Sequence, residues 1–99
     1  MYWHIVFISF RSDIPEEVRR NVIKQNKALG EKCGSFESGI ITWKVVENLD
    51  QRKGVHFIQI GMFTGKESFE AFRAHPEHKA FGEVLREVAD WTVGDFINN

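Results

Sequence analysis

The sequence predicts one α+β domain on the ferredoxin-like plan, strand, helix, strand, strand, helix, strand, with a four-stranded antiparallel sheet and the helices on one face. Three observations carry that expectation. Runs of β-branched and aromatic residues open and close the chain, apolar residues switch to helical spacing in two stretches between them, and two middle strand-like runs flank a short charged loop. All 99 residues are read as a single domain.

The first strand runs from Tyr2 to Phe10 and stops at the polar turn "RSD". In "DIPEEVRRNVIKQNKALGEKCG", Asp13 is placed to cap a helix and Pro15 with two glutamates suits its first turn. Val18, Val22, Leu29 and Cys33 then recur at helical spacing, with Asn26 inside that apolar stripe and Gly34 ending it. "GIITWKVVENL" and "GVHFIQIGMF" are the middle strands, joined by "DQRKG", a solvated turn too long for a two-residue hairpin. The stretch "TGKE" at residues 64–67 matches a capping box and starts the second helix, which carries Phe69 and Phe72 inward. Pro76 disfavours helical geometry at His75, ends that helix and opens a short third one through "PEHKAFGEVLREV", with Phe81, Val84, Leu85 and Val88 on one side. "DWTVGDFI" is the last strand.

With 42% apolar residues and a formal charge of −1, the chain has neither the basic stripe that a nucleic acid needs nor a polybasic membrane anchor. The apolar N-terminus "MYWHIVFISF" is far shorter than the roughly 20 residues of a membrane span and lacks the basic flank of a secretion signal. Cys33 is the only cysteine, which rules out an internal disulfide, excludes a thiolate zinc site and fits a reducing, cytoplasmic setting. A redox role for it is not expected at a helix C-terminus.

Strand parity points to a partner. His4, Val6, Ile8 and Phe10 share one face of the first strand, while Trp3, Ile5 and Phe7 share the other. In the third strand His56, Ile58, Ile60 and Met62 oppose Phe57, Gly61 and Phe63. Both faces are largely apolar, yet the helices can cover only one. A second copy of the chain is the simplest cover for the other, through Trp3, Ile5, Phe7 and Phe57.

The segments "HIVFISF", "ENLDQRKGVHF", "HPEHKAF" and the closing "DF" of Asp95 and Phe96 together resemble the stress-responsive A/B barrel domain family. The resemblance spans nearly the whole chain, and "HPEHKAF" is its most specific part. It implies a dimeric α+β barrel in which two sheets pack face to face. The chain is similar in particular to the olivetolic acid cyclase-like members, which close a polyketide thioester by an aldol step without a cofactor. That likeness implies His78 as base and Asp95 as the group that orients it. Phe72 stands where those cyclases have a tyrosine, and a phenyl ring cannot hydrogen-bond a developing enolate oxygen.

In the first turn of a helix, His78 would be kept neutral by the amide dipoles and able to accept a proton; the alternative is a structural histidine that pins the last strand to the helix break. His75 is expected to cap the third helix or point outward. His4 and His56 would face the helices, as the family geometry implies, but near opposite ends of the sheet, which disfavours a three-histidine metal site. Asn26 either lines a cavity or bonds to neighbouring backbone. Phe72 and Phe81, with Met62 and Phe69, either line a ligand pocket or fill the core. The combined expectation is a homodimer that needs no metal or cofactor and binds a small apolar or aromatic carbonyl compound, as a lyase or cyclase or as a non-enzymatic stress-associated protein.

Overall fold

The computed structural model describes residues 1–98. They form β1 (Tyr2–Phe10), α1 (Glu16–Lys32), a single 3-10 turn (Ser35–Ser38), β2 (Ile40–Glu47), β3 (Phe57–Phe63), α2 (Lys66–Ala74), α3 (Pro76–Arg86) and β4 (Ala89–Ile97). The sheet order is β2-β3-β1-β4, and every neighbouring pair is antiparallel. This is the ferredoxin-like arrangement, with β1 and β3 at the centre. Among the described residues no helix is long and apolar enough to cross a membrane.

Local chemistry explains most boundaries, though not always as the sequence suggests. Asp13 is not the cap of α1: the helix begins after an extended Pro15 with no side-chain cap, and Glu16 and Glu17 supply the negative charge that its N-terminus favours. Val18 is exposed and lies off the apolar stripe, whereas Val22, Asn26, Leu29 and Cys33 are buried along it. Gly34 ends the run at φ +105°, a conformation that glycine adopts without a Cβ penalty. The start of α2 is one residue later than the capping-box pattern implies. Gly65 is its cap, and the reciprocal bonds come from Ser68, whose Oγ accepts from Gly65 N–H at 3.2 Å and donates to Gly65 O at 2.9 Å. Between α2 and α3 the break falls at His75, whose Nδ1 accepts from Glu77 N–H at 3.0 Å and caps the third helix.

The register fixes which residues share a face. His4, Val6, Ile8 and Phe10 stand beside Gly61, Gln59 and Phe57 of β3 and face the helices. With Val22, Leu29, Phe63, Phe69, Phe72, Phe81 and Leu85 they build one core. Trp3, Ile5 and Phe7 pair with Met62, Ile60 and Ile58 on the outer face. Two assignments therefore change. Phe57, only 1% exposed and opposite Ile8, belongs to the helix-side core and not to the outer face, and Met62 lies outside rather than over a pocket. In an antiparallel pair the relative parity of two strands is set by register, which neither strand carries alone.

One close approach organises the helix layer. Trp43 on β2 packs its indole across Gly30 of α1 and donates Nε1–H to the backbone oxygen of Asn26 at 3.0 Å. A Cβ at position 30 would lie 2.5 Å from Trp43 Cγ. Alanine would favour the helix by about 1 kcal/mol, but overpacking a rigid indole costs roughly 1–3 kcal/mol. Gly30→Ala is therefore expected to lower stability, read as an earlier urea midpoint with altered Trp fluorescence; a later midpoint would show that the contact yields easily.

Candidate active site

The site grows from the pairing of the first and last strands. His4 stands directly opposite Asp95, so the imidazole and the carboxyl project side by side toward the helices. His4 Nδ1 lies 2.6 Å from Asp95 Oδ1, and Tyr2, two residues earlier on the same face, donates its hydroxyl to Asp95 Oδ2 at 2.7 Å. Burial, followed by the bond to Asp95, pushes the Tyr2 phenol up to about 12, so it stays a donor. Since a carboxylate only accepts, His4 carries its proton on Nδ1 and leaves Nε2 open. Phe69 packs against both rings, at 4.4 Å from Tyr2 and 4.8 Å from His4 between centroids.

His78 comes from the helix break. The last carbonyls of α2 have no partner within that helix, and Arg73 O receives the Nδ1–H of His78 at 3.1 Å. The tautomer is thereby set, and Nε2 is the acceptor. Burial lowers the His78 pKa; the bond to Arg73 O works against this, and the neighbouring charges of His4, Arg73 and His75 add to it. The ring lies 4.7 Å from that of Phe72, which is also 6.4 Å from His4. Two imidazoles, each fixed through Nδ1, thus flank one phenyl ring.

Asp95 does not hold His78. Both of its oxygens are engaged by Tyr2 and His4, because cross-strand register places it there, and a backbone carbonyl orients His78 instead. Asn26 is fully buried on α1, and neither its Oδ1 nor its Nδ2 has a hydrogen-bond partner among the described residues. An amide left so costs about 1–3 kcal/mol per group. Phe81 is buried and borders a small groove of about 80 Å³ between α1 and α3. His56 is elsewhere, beyond the far end of the core, in a cleft of about 470 Å³ with Phe10 and Arg19. The structure thus brings His4, Phe72, His78 and Asp95 together and leaves His56 apart. Among the described residues no three His, Cys, Asp or Glu side chains could hold a metal ion. Cys33 is a core thiol, pushed up to about 11 by burial.

Two contributors escape the pattern reading. Tyr2 was legible only by its even spacing from His4, and Arg19 resembled any solvated helix cation.

Element order and sheet topology place the protomer in the class of ferredoxin-like α+β domains. The family model described as Stress responsive A/B Barrel Domain matches residues 3–98, and the chain belongs to that family. A search of curated proteins finds no match. Among solved structures, a dimeric ferredoxin-like protein of unknown function from Bacteroides fragilis is 26% identical, with a TM-score of 0.77 over 96% of this chain and 93% of its own. The hydroxynitrile lyase of Passiflora edulis is 19% identical with a TM-score of 0.83, covering 99% of this chain and 93% of the lyase. SnoaB, a cofactor-independent oxygenase from Streptomyces nogalater, is 14% identical with a TM-score of 0.75, covering 99% and 92%. At those two identities the likeness is one of fold.

The lowered His78 pKa has a signed consequence for stability. The folded protein binds the proton more weakly than the unfolded chain, whose histidine titrates near 6.5. Stability is therefore full above that value and falls as pH drops through it toward the lower folded value. In urea melts at pH about 7 and about 5, His78→Gln should lose less stability across the interval than wild type. His56, lowered likewise by burial, leaves a residual slope.

Proposed function

We propose that this protein is a cytoplasmic homodimer that binds a small apolar or aromatic carbonyl compound between sheet and helices and removes a proton beside the carbonyl without metal or cofactor, as a lyase or cyclase. The observation that carries this is His78, whose Nδ1 is tied to Arg73 O while burial keeps the ring neutral and Nε2 free to accept a proton. In the step, Nε2 takes the α-proton, the C–H electron pair becomes the enolate, and the imidazolium returns the proton to product. Phe72 cannot hold the enolate oxygen, so the unpartnered amide of Asn26 serves as donor. Asp95 acts through His4, fixing its tautomer, and His4 faces His78 across Phe72. The names of the Passiflora lyase and of SnoaB, a cofactor-independent oxygenase, are consistent with such chemistry on this fold.

A second reading rests on the aromatic packing. Phe63, Phe69, Phe72 and Trp43 contact one another at 5.1–6.4 Å between centroids beside the histidines, as a filled core would. The protein would then be a non-enzymatic stress-associated dimer with structural histidines. Acetophenone in D₂O separates the two. The enzymatic reading expects deuterium to enter its methyl group faster than in buffer, with a loss of about 10²-fold or more in His78→Gln and a smaller loss in Asn26→Leu. No exchange and no shift of the His78 ring resonances, with a drop in melting temperature for His78→Gln, would leave the structural reading.

The dimer would form through Trp3, Ile5 and Phe7 with Ile58, Ile60 and Met62, a set of apolar side chains that the helices do not reach. Assembly of the Bacteroides fragilis protein as a dimer supports this. Ile5→Glu, at the centre of that face, is expected to give a monomer in analytical ultracentrifugation at micromolar concentration, and an unchanged dimer would move the interface elsewhere.

A further inference from the structure

The His56 end of the sheet holds an arrangement that the active-site reading does not use. Phe10 N–H donates to His56 Nδ1 at 3.0 Å, so that nitrogen is unprotonated. A neutral imidazole then carries its proton on Nε2. Yet Nε2 lies 3.4 Å from Arg19 Nη1, which is itself a donor and never an acceptor. Two N–H groups therefore converge on one point, with no acceptor bonded to both among the described residues.

Arg19 is held there rather than merely passing by. Its Nε donates to Ile14 O at 2.9 Å and its Nη2 to Arg11 O at 3.0 Å, and the guanidinium lies over the Phe10 ring at 5.4 Å. Nη1 is left pointing at the imidazole. Burial, then the nearby Arg19 charge, lowers the His56 pKa, while Glu16 raises it. The cleft around these donors measures about 470 Å³, with an apolar wall of Phe10, Ile23, Val45 and Phe57. Lys27 adds a positive charge, and Glu16 and Glu47 add two negative ones.

We propose that this cleft binds a small apolar carboxylic acid as its anion, one carboxylate bridging Arg19 Nη1 and His56 Nε2 with its hydrocarbon body on Phe10, Ile23, Val45 and Phe57. A monoanion fits better than a phosphate dianion. Only one guanidinium nitrogen is uncommitted, and the two glutamates oppose a second negative charge. The site is separate from His78 and stands whether or not that residue is a base.

The experiment is an imidazole ¹⁵N NMR titration of the protein with sodium benzoate, and with benzamide as its uncharged counterpart. The ligand-free His56 ring is expected as the Nε2–H tautomer. Benzoate should shift its Nε2 resonance saturably, benzamide should bind at least tenfold more weakly, and Arg19→Gln should weaken benzoate at least tenfold. His56→Gln, whose amide can still accept from Phe10 N–H and donate outward, should retain part of the affinity, and Arg19→Gln should keep the wild-type melting temperature and amide spectrum away from the cleft, so a folding defect in the arginine variant cannot pass for loss of the site. An Nδ1–H tautomer, equal binding of benzoate and benzamide, or unchanged affinity in Arg19→Gln would overturn the proposal. So would a ligand-free Glu16→Gln variant whose His56 Nε2 resonance moves as far as benzoate moves that of wild type, because the acceptor would then be internal.

Discussion

Pro76 can donate no amide hydrogen, and its ring drives His75 into extended geometry at ψ 136°, so one helix must end and another begin within a single residue. Much of the helix layer depends on that break. It lets α2 present Phe69 and Phe72 to the sheet while α3 turns Phe81 and Leu85 inward. It also frees a carbonyl at Arg73 at the place where the first turn of α3 carries an imidazole. A continuous helix would have used that carbonyl for itself, and His78 would have had no fixed tautomer.

The polar groups of the protomer collect at two ends of one apolar sheet. At one end Asp95 gathers Tyr2 and His4 across the β1–β4 pair; at the other Arg19 and His56 approach one another beside Phe10. Between them stand Val6, Ile8 and Phe57, all buried. The charges that act on each histidine are local: Arg19 and Glu16 on His56, and His4, Arg73 and His75 on His78.

How much was legible follows from how local each signal is. The order and type of the elements could be read because their signals are carried by neighbouring residues: the β-branched and aromatic run from Tyr2 to Phe10, helical spacing through Val22, Leu29 and Cys33. The break at Pro76 and the cap by His75 were readable for the same reason. Phe57 went to the wrong face because the register between β1 and β3 is a property of the pair. Asp95 was matched to the wrong histidine because its partner lies 91 residues away, at a pairing that no short pattern encodes. The loss at Thr64 to Glu67 is smaller: a capping pattern was present, but Ser68 reached Gly65 first.

The pairing of β1 with β4 also bears on how the molecule is made. One of the two central strands, β1, waits for β4, so these contacts join residues far apart in sequence, a feature that slows folding. During synthesis β1 is made before both of its neighbours, with one edge able to pair to β3 and the other bare until β4 has left the ribosome. For that interval His4 has no Asp95, and an apolar strand edge is open to strangers. The same carboxylate that gathers Tyr2 and His4 thus also marks the point at which the sheet becomes whole.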